Sequence, residues 1–501
     1  MRKKLFLLLC CLLIIISSLI FVSCKAKKVE LIFWMLGNPP KDIELINEEL
    51  NKLTLKDLNC TVKINMTTWT DWANKYKLLL SSGQPIDLIF TADWVDYNQY
   101  AEKGAYKALD DLVPKYAPKL NKFVPKEMWD AVRINGNIYT IPATWKEYVE
   151  EGICYREDLR KKHNLPVPDS LENIEAYLEG IKKNETDIIP TSSEIYQMRH
   201  GTEFTLFMSL RQLLYKHVDK NGLAYGLVAD YDNPTEVRSY WGSEDMLKDM
   251  KTMKRWADKG FWSRSVLSQQ VTPKDMITEG SIAADLGINP VKYTDIIQRA
   301  KAGHPDWEFA YIPYCRITKL VRPVHPTHNG FAVPISSKNT ERALKFYEKL
   351  VLDKRYNWLT EYGIEGKHFE VVDNKYYKMI GTAEENGFQR ESLCGWAWRN
   401  PEYQIFDKSF DVVLELFEEM DQYSKPDIFS SFVENYTPYQ AERAAIYQIT
   451  AQYLVPMQAG LVDDVDKAMK QFMDKIKAAG LEKVQNGYKE QWLKYCEEHG
   501  L

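Results

Sequence analysis

The sequence predicts an α/β fold built on a parallel sheet, and three observations carry that expectation. Strand-length apolar runs alternate with stripes of helical period between residues 29 and 91. Turn residues separate them, with Gly37-Asn38-Pro39-Pro40 after the first strand and Gly83 after the second helix. The composition, 45% hydrophobic and 27% charged over 501 residues, is that of a soluble globular chain of two to four domains.

In chain order, residues 29–36 are apolar except for Glu30, as in a strand covered on both faces. Ile43, Ile46, Leu50 and Leu53 then form one helical stripe. Residues 61–67 alternate, with Val62, Ile64 and Met66 on one side. Thr70 and Asp71 are alternative caps for the next helix, whose stripe is Trp72, Tyr76 and Leu79. Gly83 is placed to end that helix, and residues 85–91 form a third strand. This βαβαβ order implies right-handed crossovers. Ligands of open parallel sheets sit outside the carboxyl ends of the strands. Those ends are residues 34–38, 67–70 and 91–96. Beyond residue 340 the chain reads as helical over 343–352, 411–420, 436–453 and 465–478, with Val465, Met469, Phe472 and Ile476 as a core stripe. Trp72, Trp256, Trp358 and Trp492 fall on helical stripes and are assigned to the core.

A net charge of −5 gives no electrostatic footprint for nucleic acid. The unusual number is the aromatic load, 14 Trp and 30 Tyr. Arg2, Lys3 and Lys4 precede an apolar run over 5–22, broken only by Ser17 and Ser18. Its length suits either an anchor helix or a signal peptide. Phe21-Val22-Ser23-Cys24 resembles the lipobox of bacterial lipoproteins, with Phe21 where that family usually has Leu. The resemblance implies a signal peptide over 1–23, cleavage before Cys24 and acylation (palmitate-type) of its sulfur, which tethers the chain to the outer face of the cell membrane. Cys60, Cys154, Cys315, Cys394 and Cys496 remain, an odd set with no C-x-x-C, expected as buried free thiols.

Further segments carry a second resemblance: DLIFTADW (87–94), KGAYKALDD (103–111), NGNIYTIP (135–142), GICYREDL (152–159), GSIAADLG (280–287), NGFAVPI (329–335) and YGIEGKH (362–368). In this order the chain resembles the extracellular solute-binding lipoproteins of ABC importers, the large sugar-binding class of Gram-positive bacteria. The resemblance implies a two-lobed periplasmic-binding-protein-like fold, with helix-flanked, parallel-rich sheets and a ligand cleft between the lobes. Carried over, lobe one is 24–145 plus 283–333 and lobe two is 146–282 plus 334–501. Crossings are expected near Ile141-Pro142, near 282–287 and near 331–334. The resemblance also implies permease subunits as partners and a monomeric receptor.

No G-x-S-x-G, H-E-x-x-H, Walker or dinucleotide-binding pattern is present, and no catalytic residue, cofactor or metal is expected. His325 with His328, and Asp230, Asp232, Asn233 and Glu236, are incomplete as metal sites and read as polar turns. The 70 acidic residues permit some carboxylate pair of the kind glycoside hydrolysis uses, which keeps a glycosidase as an alternative. Binding a sugar needs aromatic rings against its C–H faces and fixed polar groups for its hydroxyls. Trp34 and Trp94 lie at the predicted ligand-facing strand ends, as does Trp69, and Trp145 follows the hinge proline. Trp396 and Trp398 share one face if their segment is extended. The polar candidates are Asp93, Asp285, Asn289, Glu365 and Arg399. Asp285 interrupts an apolar strand, so it meets either a ligand hydroxyl pair or neighbouring backbone. Arg399 either holds a uronate or stacks on an indole. Gly363 and Gly366 around Glu365 suggest a shaped loop. The expected function is capture of an oligosaccharide by hinge closure. The alternatives are a lipid-anchored glycosidase or polysaccharide lyase, or a binder of peptides or another non-sugar solute.

Overall fold

Alternation in the first strand decides how the first sheet is covered. β1 (Val29–Leu36) buries Leu31, Phe33 and Met35 on one face, whereas on the opposite face Leu36 is buried and Ile32 and Trp34 are only half-buried. One face is sealed by core and the other is partly open, which corrects the expectation of a strand covered on both faces. The computed structural model describes residues 28–501 except 69–70, 149–150, 199–200, 215–222 and 430. The leader, Cys24, Trp69 and Thr70 lie outside the described residues.

α1 (Ile43–Leu58) sends Ile46 and Leu50 into the core and stops at Asn59, a left-handed residue whose N–H is donated to the Thr54 carbonyl. β2 (Cys60–Thr67) starts at the next residue and runs parallel to β1 over its whole length. α2 (Trp72–Ser81) follows, and Gly83 at φ +68° turns the chain just past its end. β3 (Leu88–Thr91) is parallel to β1 on its other side. The other strands of the two larger sheets are β4 (Thr140–Pro142), β5 (Gly152–Arg156), β6 (Ile189–Thr191), β7 (Ile282–Ile288), β8 (Phe309–Pro313) and β9 (Gly330–Ala332).

The chain divides into two compact units. The first comprises residues up to Thr144, with Asn329–Glu370 and Met379–Gln404. Its sheet has the order β2-β1-β3-β9-β4, with β9 antiparallel to both β3 and β4. Phe33, Phe90 and Phe331 form its core with Leu344, Phe346, Tyr347 and Leu350 from the helix Thr340–Leu352. The second unit comprises Trp145–His328, Val371–Lys378 and Ile405–Leu501. Its sheet has the order β8-β5-β7-β6, with β7 parallel to β6 and antiparallel to β5. Trp256, Phe472 and Trp492 lie in its core, and Val465, Met469, Phe472 and Ile476 form the buried stripe of the helix Val465–Ala478. The expected helix over 436–453 is divided into a 3₁₀ turn, the helix Gln440–Ile449 and a π turn at Thr450–Leu454.

These units correct the expected lobe boundaries. The first division falls between Thr144 and Trp145, two residues after the expected crossing at Ile141-Pro142 and one residue before the expected end of lobe one. No passage occurs in β7, because Ala284 pairs with Tyr155 on one side and Thr191 on the other. Residues 283–328 therefore belong with the second unit. β9 returns the chain to the first sheet, and 334–370 with 379–404 stay there. Cys60, Cys154, Cys315, Cys394 and Cys496 are buried free thiols. Among the described residues no helix is long and apolar enough to cross a membrane, and no group of His, Cys, Asp and Glu could hold a metal ion.

Candidate functional site

In the first unit, aromatic side chains collect where the parallel strands end. Trp34 sits near the end of β1, half-buried, with the Lys75 Nζ of α2 5.7 Å from its ring centre. Trp94 follows β3 in the turn Asp93–Val95. Its ring lies 5.7 Å from Phe90 and 6.4 Å from Trp72. Phe90 also meets Trp396 edge-on at 6.3 Å. Trp94 and Trp396, both half-buried, thus flank one phenyl ring at the end of β3. The Asp93 carboxylate accepts the Trp94 N–H at 2.7 Å, which stiffens the turn that carries the indole.

Trp398 is corrected from ligand candidate to core. Gly395–Ala397 is a 3₁₀ turn, not an extended segment, so residues two apart point in different directions. Trp398 is 1% exposed, its centroid is 5.6 Å from Phe331, and its Nε1 donates to Thr360 Oγ1 at 3.0 Å. Arg399 is also corrected. Its guanidinium is buried and committed to two carboxylates, with Nη2 on Glu391 and Nε 3.7 Å from Glu361. Glu365 is exposed on a loop between Gly363 at φ +85° and Gly366 at φ +80°. A Cβ at Gly363 would stand 2.6 Å from the His368 ring, so this turn requires glycine. His368 Nδ1 accepts the Ile364 N–H at 2.9 Å, which leaves the proton on Nε2, 3.1 Å from Asp42 Oδ2. Lys367 and His368 together hold the Asp42 carboxyl below its usual range and pin this loop to the start of α1.

In the second unit, a polar group gathers at one edge of the sheet. β6 and β7 end there and β5 begins there. Asp285 on β7 is 6% exposed, and its Oδ1 accepts the Gly287 N–H at 3.0 Å. Burial pushes its carboxyl up to about 7. The Gly287 N–H and the Lys292 charge oppose that shift, and Glu151 and Glu194 reinforce it. Glu151, just before β5, accepts the Ser209 hydroxyl at 2.5 Å. A Cβ at Gly287 would lie 3.0 Å from Ser209 Oγ and 3.8 Å from Asp285 Oδ1, so these groups converge on one glycine. Asn289 starts the helix Pro290–Gly303 by accepting the Lys292 N–H at 2.9 Å, a capping role that Asn before Pro signals in sequence. Trp145 is half-buried, 5.4 Å from Phe406, which stacks on Phe410 at 4.1 Å. Lys75, Glu151 and Ser209 were not legible as site residues, since nothing local marks a Lys on a helix or a Glu before a strand.

Half-buried indoles offer flat apolar surface, and carboxylates beside them offer hydrogen-bond acceptance. That combination suits a ligand with apolar C–H faces and hydroxyl donors. Residues 43–355 match the family model of bacterial extracellular solute-binding proteins, and residues 428–497 match a domain of unknown function, DUF3502. A carbohydrate ABC transporter substrate-binding protein of Streptococcus pneumoniae is 21% identical over 465 residues, covering 92% of this chain and 89% of the relative. Lipoprotein LipO of Bacillus subtilis is 21% identical, covering 74% of this chain and 73% of its own. The crystal structure of the N-glycan transport solute binding protein NgtS of S. pneumoniae is similar with a TM-score of 0.72 and 20% identity, over 94% of this chain and 99% of that one.

Proposed function

The chain belongs to the bacterial extracellular solute-binding protein family, and on that premise we propose that it is the substrate-binding subunit of an ABC importer for an oligosaccharide. The observation that carries the sugar reading is the set of half-buried indoles, Trp34, Trp94 and Trp396, at the strand ends of the first unit. Similarity to a carbohydrate-transport receptor over 92% of the chain supports it. In this reading the indoles stack on sugar rings, while Asp93, Asp285 and Asn289 serve hydroxyls. Trp145 is a further stacking platform. Ligand contacts that favour a closed form shift the open–closed equilibrium, since only differential affinity does so. The closed receptor then hands the sugar to a permease, with no covalent step. Acylated Cys24 tethers the protein to the outer face of the membrane, a reading that similarity to a lipoprotein supports.

A thermal-shift screen of the soluble form from Lys25 onward tests this, using oligosaccharides and oligopeptides. A ligand at a hundred times its dissociation constant adds about 2.7 kcal/mol and raises Tm by a few degrees. A shift with one sugar class supports the reading. A shift with peptides alone removes the sugar.

A further inference from the structure

A closed ring of four charges lies beneath the Trp396 loop in the first unit. Glu361 ends the helix Lys354–Glu361 and is completely buried. Among the described residues neither of its oxygens accepts a hydrogen bond. Instead the Nε atoms of Arg390 and Arg399 stand 3.6 and 3.7 Å from Oε1. On the outer side Glu391 Oε1 stands 3.0 Å from Arg390 Nη2 as an ion pair and accepts a hydrogen bond from Arg399 Nη2. The order Glu361–Arg390–Glu391–Arg399 alternates in sign and returns to its start. Two features show that the backbone bends to this ring. Glu391 holds a left-handed conformation at φ +64°, unusual for a residue with a side chain, and donates its N–H to the Glu361 carbonyl at 3.2 Å. Gly395 passes so close that a methyl group there would overlap the Glu361 carboxylate.

The segment the ring encloses carries Trp396. Around it the loop is tied down at several points. Tyr347 donates to the Ala397 carbonyl at 2.8 Å, Asn357 to the Trp398 carbonyl at 3.0 Å, and Thr144 to the Arg399 carbonyl at 3.3 Å. Burying a carboxylate is costly, and in some proteins a buried charged network fixes a geometry that apolar packing leaves loose. We propose that Glu361 is a positioning residue for ligand binding, which acts through Arg390 and Arg399 to set the angle of the Trp396 indole beside Phe90. This rests on the sugar-binding reading above.

The test uses the soluble chain labelled with 5-fluorotryptophan, its Trp396 fluorine resonance assigned by its loss in Trp396→Phe. Glu361→Gln keeps the shape and removes the charge. The expected result is a moved or broadened Trp396 resonance in the unliganded protein, with the Trp256 and Trp492 resonances in place. The dissociation constant for the oligosaccharide that shifts the wild type should rise at least tenfold. Should Glu361→Gln fail to fold, Glu391→Gln opens the same ring from its solvent side and should give the same two changes. An unmoved Trp396 resonance overturns the proposal, as does an unchanged affinity or a common shift of every tryptophan. A wild type that binds no oligosaccharide sinks the sugar reading instead. The resonance in the unliganded variants then still decides whether the ring sets the indole.

Discussion

Replacing Asp285 with Asn should make the protein more stable, and increasingly so as the pH rises. The carboxyl is pushed up to about 7 by burial, against about 3.9 in an unfolded chain. Between those values the native state holds a proton that the unfolded state has released. Folding is therefore favoured at low pH, and that contribution is lost as the pH rises through about 7. A shift of about three units corresponds to about 4 kcal/mol, of which about 3 kcal/mol falls between pH 5 and pH 8. Asparagine keeps the oxygen that accepts the Gly287 N–H at 3.0 Å and cannot ionise. It stands permanently in for the protonated acid. Glu151 and Glu194, whose charges disfavour ionised Asp285, and Lys292, which favours it, are left in place. Urea denaturation of both proteins at pH 5, 6, 7 and 8 reads the effect. The gain of Asp285→Asn over the wild type should grow by about 3 kcal/mol across that range. A gain that is the same at every pH, or greatest at pH 5, would refute the burial argument.

The remaining expectations separate stability from binding and from anchoring. Trp398→Ala should cost about 3–5 kcal/mol by chemical denaturation, because it empties a fully buried site between Phe33 and Phe331. Trp396→Ala should cost less stability than Trp398→Ala, yet weaken oligosaccharide binding roughly tenfold by calorimetry, about 1.4 kcal/mol of lost ring contact. Equal stability losses at the two positions would undo the distinction drawn between them. Feeding cells a labelled fatty acid should label the wild-type protein and not Cys24→Ser, and an unlabelled wild type would point to the uncleaved anchor helix.

The first unit's opening was legible because β1, α1, β2, α2 and β3 each announce themselves locally. Their apolar periods of two and 3.6 lie between turn residues such as Asn59 and Gly83. The later boundaries were not, since they depend on pairing between distant segments. Nothing within Ile282–Ile288 says whether an apolar strand joins one sheet or the other, and its partners Tyr155 and Thr191 lie far back in the chain. β9 has only three residues, too few for a period. The same divide runs through the site. Strand-end positions placed Trp34 and Trp94 among half-buried aromatics, as counting along a βαβαβ unit allows. Trp396 and Trp398 share one face only if their segment is extended, and their sequence carries no sign of the 3₁₀ turn that separates them. For Arg399 the sequence offers a uronate or an indole as partner but neither of the carboxylates that occupy it, because Glu361 and Glu391 carry no local mark of that role. Asp285 was legible as an anomaly, a charge inside an apolar strand, but not its convergence with Glu151 and Ser209 on Gly287.

The proposed receptor binds an oligosaccharide and leaves it unchanged. The direct measurement is equilibrium dialysis of the soluble protein against a mixed oligosaccharide pool, with mass spectrometry of what the protein retains and later releases on denaturation. One oligosaccharide class should be held at one molecule per chain and released at its original mass. Fragments of lower mass would make the protein an enzyme, and retention of no sugar at all would rule out an oligosaccharide receptor.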